Sequence, residues 1–350
     1  MKFVLKVIFL IIFYFISSSA STFINYNENN LTKQFINYMV EQENFSSKEL
    51  EELFCKVKLQ KRSLKFYAIP KKPKKKTCTK AKKKKKYKRY YGSWSRYEKK
   101  LLTPKRVQRG VEFMQEHKDV LDRAYKKYGI PPEYITAIIG IESYYGAYAG
   151  KYPVFDTLCT LAFEKNRRNK FFQNELKEFL KMTKREELNP KEVKGSYAGA
   201  IGLGQFMPSN FEKLGVDFDG DGKVRICEPQ DAIGSIANYF KQSGWKENIP
   251  VATRVSYEGI RFKQHKTGYL HKYSRKHLKG IYPKDKNFHY NDKVRLIKLE
   301  RKKYDELWYG THNFYVITRY NHSSYYAMAV HLLAQKIKQG SKKYCYVTKR

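Results

Sequence analysis

The chain has 350 residues, enough for two or three compact units, so a single small domain is excluded. Its 71 Lys and Arg against 33 Asp and Glu give a formal net charge of +38, which directs attention to anionic partners. The five cysteines are scattered, odd in number and without C-x-x-C spacing, which argues against a zinc centre or a dense disulfide framework and leaves their pairing unassigned.

Residues 1–20 carry Lys2 and Lys6, an apolar stretch from Val7 to Ile16, and then Ser17, Ser18, Ser19 and Ala20. This is the pattern of a secretory signal peptide, cleaved after Ala20 or kept as an N-terminal anchor. No cysteine follows the apolar run, so no lipoprotein box is present. Export to a cell envelope argues against nucleic acid as the anionic partner. It favours anionic lipid headgroups, wall polymers or the carboxylates of peptidoglycan stems.

Residues 21–70 are expected to form an N-terminal α region. Phe35, Tyr38 and Met39, then Leu50, Leu53 and Phe54 after Ser46, predict two short helices. Residues 71–90 are a polylysine linker, whose KKPKKKTCTKAKKKKKYKR at 71–89 cannot be buried and must be solvated. It offers electrostatic contact with anionic membrane or wall polymers.

Residues 91–250 return to globular patterning, beginning with Trp94 and Tyr97. Val111, Met114, His117, Val120, Leu121, Ala124 and Tyr128 share one face and predict one long helix that Gly129 closes. Pro131 and Pro132 start the next, which Gly146 ends. In it, Ile135, Ile138, Ile139 and Glu142 fall on one face, so Glu142 points where isoleucines point. A carboxyl in apolar surroundings resists ionising and can serve as a general acid. Position alone favours a Glu in a buried ion pair or on a solvated edge. Residues 154–182 add further helix.

GSYAGAIGLGQFMPSNF, residues 195–211, sets four glycines among small and amide side chains. Here backbone passes close to something, either a neighbouring helix or a polymer in a groove. In VDFDGDGKVRICEPQD, the residues Asp217, Asp219, Asp221, Gly222 and Glu228 occupy positions 1, 3, 5, 6 and 12 of an EF-hand loop, with the Lys223 carbonyl at position 7. One such loop without a partner suggests a structural calcium clip. Pro229 to Phe240 is its exit helix.

Residues 251–319 read as a small β region. VRLIKLERKKYDELWYG and NFYVITRYN are expected to pair as antiparallel strands, with Gly310 to Asn313 in the turn. Residues 320–350 supply a closing helix, Ser323 to Lys338, and a tail.

Taken in order, IIGIES-x-x-G, GSYAGAIGLGQFMPS, DFDGDG, DAIGSIANYF-x-x-x-GW and RYN-x-S-x-x-YAMAV resemble the lytic murein transglycosylase B family from about residue 30 to residue 340. The resemblance implies an α+β, mainly α fold: a lysozyme-like core with an additional α region, a small inserted β region and an EF-hand-like calcium loop. It implies cleavage of the β-1,4 bond between N-acetylmuramic acid and N-acetylglucosamine in peptidoglycan strands, without water and with 1,6-anhydromuramoyl ends. Glu142 matches the catalytic acid/base. Ser196, Gln205, Tyr97, Tyr320 and Asn321 match the groove. Calcium is structural, with no cofactor for catalysis. Its last carboxylate in the family corresponds to Asp231, a rival to Glu228. The remaining alternatives are a muramidase that uses water and a silent wall-binding protein.

Overall fold

The computed structural model describes residues 22–70 and 92–347. The expected signal segment at 1–20 and the lysine-rich 71–89 stretch lie outside the described residues, as does Cys78. Cys55, Cys159 and Cys227 are free thiols. Contacts divide the chain into two compact units, Met1–Gln60 and Lys61–Arg350.

In the first unit, β1 (Phe23–Ile24) pairs antiparallel with β2 (Val57–Lys58). Between them run α1 (Asn30–Glu43) and α2 (Ser47–Phe54). Asn29 caps α1 by accepting from the Leu31 N–H at 2.8 Å, and Ser46 caps α2 by accepting from Glu49. Met39, Leu50 and Phe54 are fully buried, so the two helices share a core.

The second unit is mainly helical. It contains α3 (Lys61–Tyr67), α4 (Ser93–Leu101), α5 (Pro104–Glu116), α6 (Lys118–Tyr128), α7 (Pro132–Glu142), α8 (Val154–Phe163), α9 (Asn169–Arg185), α10 (Pro208–Leu214) and α11 (Pro229–Gln242). α12 (His312–Tyr320) and α13 (Ser324–Val347) close the chain. A two-residue ladder joins β3 (Tyr152–Pro153) to β4 (Lys194–Gly195). α7 lies at the centre. Every residue from Glu133 to Gly140 is buried, because α5, α6, α11 and α13 pack around it. Each fully buried isoleucine of α7 contributes about 1.5–3 kcal/mol.

β5 (Ala252–Tyr257), β6 (Ile281–Pro283), β7 (Arg295–Glu300) and β8 (Asp305–Gly310) form one antiparallel sheet in the order β6-β5-β8-β7. It has its own apolar cluster, including Val255, Leu296, Leu307 and Tyr309. β7 also grips the helical body, since Ser93 Oγ on α4 donates to Glu300 at 3.0 Å and lies 2.7 Å from the Tyr325 hydroxyl on α13.

Four expected elements are corrected. The closing helix runs from Ser324 to Val347, so the stretch after Lys338 expected as a tail continues it. The long helix is two helices, broken at His117 (φ −115°, ψ 27°), whose ring packs on Phe113 at 4.4 Å. Apolar spacing continues across that break and so conceals it. The next helix stops at Glu142 rather than Gly146, because Tyr144 and Tyr145 take φ of 53° and 59°. NFYVITRYN is not a strand. The turn falls instead at Arg301–Tyr304, where the Arg301 N–H donates to the Tyr304 carbonyl and β7 pairs with β8. Thr311 then caps α12 by accepting from the Asn313 N–H at 3.2 Å.

Candidate active site

Glu142 is the last residue of α7, and its position at a helix end frees the carboxyl from the buried stripe behind it. Its Oε1 accepts a hydrogen bond from the Tyr326 hydroxyl of α13 at 2.6 Å. Burial raises the Glu142 pKa to about 7, with the Tyr326 hydrogen bond working in the opposite direction. The group is therefore poised between acid and carboxylate near neutral pH. A carboxyl in that state can give a proton and take one back.

Tyrosines surround it. Tyr320 stacks on Tyr326 with ring centroids 6.4 Å apart and planes within 10°, and its hydroxyl donates to the Gly204 carbonyl. Tyr97 lies against Tyr325 at 5.9 Å and Trp94 at 6.0 Å. The hydroxyls of Tyr97 and Tyr320 are both held above the usual phenol range, by burial first and by the Glu142 charge second. Both phenols thus lie close enough to Glu142 to feel its charge. Tyr239, 4.7 Å from Tyr320, and Phe206 extend the aromatic wall.

The glycine-rich segment forms turns rather than a helix. Gly204 passes so close to Tyr320 that a Cβ there would sit 2.8 Å from the hydroxyl, so the glycine spacing reflects close approach of backbone to an aromatic side chain. Ser196 Oγ accepts from the Ala200 N–H at 3.0 Å and the Ala198 N–H at 3.3 Å, which leaves its hydroxyl proton available to donate. Gln205 takes a left-handed φ of 52°, and its Nε2 donates to the carbonyls of Ala149 at 2.7 Å and Gly202 at 2.9 Å. This ties the segment to the loop after α7 and leaves Oε1 as an acceptor. Among the described residues, no hydrogen bond joins Ser196 or the exposed Asn321 to Glu142.

Tyr326, the first residue of the YAMAV motif, was not singled out from the sequence as a partner of Glu142. The available signal was a hydroxyl in an otherwise aliphatic row, since a buried tyrosine needs a partner for its O–H.

In the acidic loop, carboxylate oxygens of Asp217, Asp219 and Asp231 lie within 4.8 Å of one another, and this is the one group among the described residues with metal-ligand character. Three converging carboxylates fit a hard, oxygen-seeking cation. Asp231, 1% exposed, accepts from the N–H groups of Phe218 at 2.8 Å and Arg225 at 2.5 Å. Asp217 accepts from Gly220 and Gly222, which fixes the turn. Two expected ligands fall outside the group. Glu228 is exposed at the N-cap of α11, and Asp221 pairs with the Arg225 guanidinium. The loop thus bends back to the first turn of α11 rather than closing at its twelfth residue. The Lys223 side chain reaches Glu187 at 3.1 Å, and its N–H donates to Asp221.

A family model described as a transglycosylase SLT domain matches residues 27–335. The chain is similar to membrane-bound lytic murein transglycosylase B of Escherichia coli K12, with 44% identity over 248 residues, 70% of this chain and 68% of that protein. It is also similar to the solved structure of the Escherichia coli lytic transglycosylase SLT35 in complex with calcium. There the TM-score is 0.81 at 37% identity, covering 92% of this chain and 96% of the other. A third similarity is to SltB3 of Pseudomonas aeruginosa in complex with NAG-anhNAM-pentapeptide, with a TM-score of 0.70 at 25% identity over 87% and 79% of the two chains.

Proposed function

Because the chain belongs to the transglycosylase SLT family, and so is a lytic murein transglycosylase that degrades peptidoglycan as a lyase, we propose that Glu142 is its single catalytic acid/base. The observation that carries this reading is the Glu142 carboxyl itself, half-buried, tuned to a pKa of about 7 and held by Tyr326. In the first step its proton passes to the oxygen between N-acetylmuramic acid and N-acetylglucosamine, and the C1–O bond breaks. The resulting carboxylate then takes the proton of the muramoyl C6 hydroxyl as that oxygen bonds to C1. The product is a 1,6-anhydromuramoyl end, and no water is consumed. This route needs no second catalytic carboxylate, unlike the paired acids of most glycosidases.

In this proposal Tyr97, Tyr320 and Asn321 form the glycan wall. The Ser196 hydroxyl meets the muramoyl acetamido group, and Gln205 Oε1 accepts from the glycan. Asp217, Asp219 and Asp231 would hold one structural calcium ion, which supplies charge neutralisation within the loop. The chain works in a cell envelope after export, a reading that rests on Lys2, Lys6 and the apolar Val7 to Ile16 stretch.

The test is mass spectrometry of soluble muropeptides released from purified sacculi. Anhydro-ended products that vanish in Glu142→Gln are expected. Reducing ends would instead identify a hydrolase, and release undiminished by the substitution would remove Glu142 from the chemistry.

A further inference from the structure

We propose that Tyr144 and Tyr145 are positioning residues for Glu142: they pin the turn that follows the acid to α5, and so fix where the carboxyl stands. The inference rests on the reading of Glu142 given above. Immediately beyond the end of α7, these two successive non-glycine residues hold left-handed φ of 53° and 59°. Side chains resist that conformation, and a chain keeps it only where its surroundings impose it. Here the surroundings are explicit. The Tyr145 ring is buried, 5.7 Å from the ring of Phe113 on α5, and its hydroxyl donates to the Arg106 carbonyl at 2.8 Å. A Cβ at Gly110 of α5 would come within 2.4 Å of that hydroxyl, and one at Gly140 of α7 within 2.5 Å. Glycine weakens a helix, yet each of the two helices carries one at the point that faces the hydroxyl.

The turn is tied to α7 as well. The Tyr145 N–H donates to the Ile139 carbonyl at 3.3 Å, and Ser143 Oγ donates to the same carbonyl at 3.2 Å while accepting from the Gly146 N–H at 3.0 Å. The Tyr148 N–H donates to the Ser143 carbonyl at 2.8 Å, and the Tyr144 ring lies 5.0 Å from the Arg106 guanidinium. Glu142 therefore stands between the buried body of α7 and a pinned turn, and its carboxyl keeps its place beside Tyr326 as long as that turn holds. A misplacement of about 1 Å in a reacting group can cost on the order of 10²-fold in rate. A tyrosine that merely filled the core would add stability alone. A positioning residue also sets the reach and the proton affinity of the acid, and the two roles are separable.

The test compares Tyr145→Phe, which removes only the hydroxyl, with Tyr144→Gly, which tolerates the left-handed backbone and removes the stack on Arg106. Assayed well below each thermal midpoint on soluble glycan, kcat should fall about tenfold or more with KM little changed. Water reaches the carboxyl as the turn loosens. The alkaline limb of kcat/KM, where Glu142 loses its proton, should then move to lower pH by about half a unit or more. Among the described residues, Tyr97, Tyr320 and Tyr326 share charge interactions with Glu142, and neither substitution touches them. Carbon NMR of the Glu142 carboxyl, identified by its loss in Glu142→Gln, should report the same displacement without turnover. Lower thermal midpoints with kcat, the limb and the carboxyl titration all at parent values would make the pair a core feature only and overturn the proposal. If one variant fails to fold, the other decides. Turnover undiminished in Glu142→Gln would instead remove the acid from the chemistry, and the carboxyl titration alone would then show whether the turn positions it.

Discussion

At the scale of the residue, the central quantity is the ionisation of Glu142. Its folded pKa of about 7 lies above the ordinary carboxyl value of 4.5, so the native state holds a proton that the unfolded chain releases. Stability associated with this group is present below about pH 4.5 and is lost as pH rises toward 7, by roughly 1–3 kcal/mol. Glu142→Gln should therefore raise the thermal midpoint at pH 8 while lowering turnover by about 10²–10⁴-fold. A variant both inactive and less stable at that pH would contradict this account. For the parent enzyme, kcat/KM on soluble glycan should fall along an alkaline limb near pH 7. Tyr326→Phe removes the hydrogen bond that opposes the burial effect, so the limb should move to higher pH, and a pH–rate profile reads the shift directly. The place of Glu142 on the apolar face of its helix was legible because three neighbours within seven residues set that face, while its proposed role came only from the resemblance carried by IIGIES-x-x-G. Tyr326 was not, because its partner stands 184 positions away and no local period reports a pairing of that kind.

At the scale of the element, the reading succeeded where one face repeats and failed where one residue decides. Helices α1, α2 and α7 and the strand β7 follow from apolar spacing. The break at His117 and the early stop after Glu142 depend on single backbone angles that apolar spacing does not encode. α12 was taken for a strand because Tyr, Val, Ile and Thr favour strands in isolation, whereas Thr311 as cap and burial of Phe314 and Ile317 on the helical body prevailed. Thr311→Val should thus destabilise by about 1–3 kcal/mol, since its buried hydroxyl also donates to the Pro250 carbonyl at 2.5 Å; denaturant melts measure this. In the acidic loop, both rivals for the last ligand were visible, but only the fold brings Asp231 to Asp217 and Asp219. Calcium should raise the melting temperature of the parent and of Glu228→Ala, and chelation should reverse it. Asp231→Ala should lose the response, as calorimetry with and without chelator would reveal. Gly204→Ala, with its Cβ against the Tyr320 hydroxyl and Ile236, should cost about 1–3 kcal/mol and raise KM as the aromatic wall shifts.

At the scale of the whole molecule, the pairing of Glu142 with Tyr326 has a temporal consequence. The acid stands on a helix that ends before the middle of the chain, while the hydroxyl that holds it belongs to the last helix. Polymerisation of the chain therefore makes the acid long before it makes the site. A nascent or truncated chain that stops short of Ser324 lacks Tyr326, Tyr325 and the packing that α13 gives α7, so its carboxyl has neither its partner nor its burial. Contacts between segments this far apart carry the entropic cost of closing the long intervening loop. On the proposed role of Glu142, a chain ending before Ser324 should therefore release no muropeptides from sacculi, which mass spectrometry of the soluble products would check.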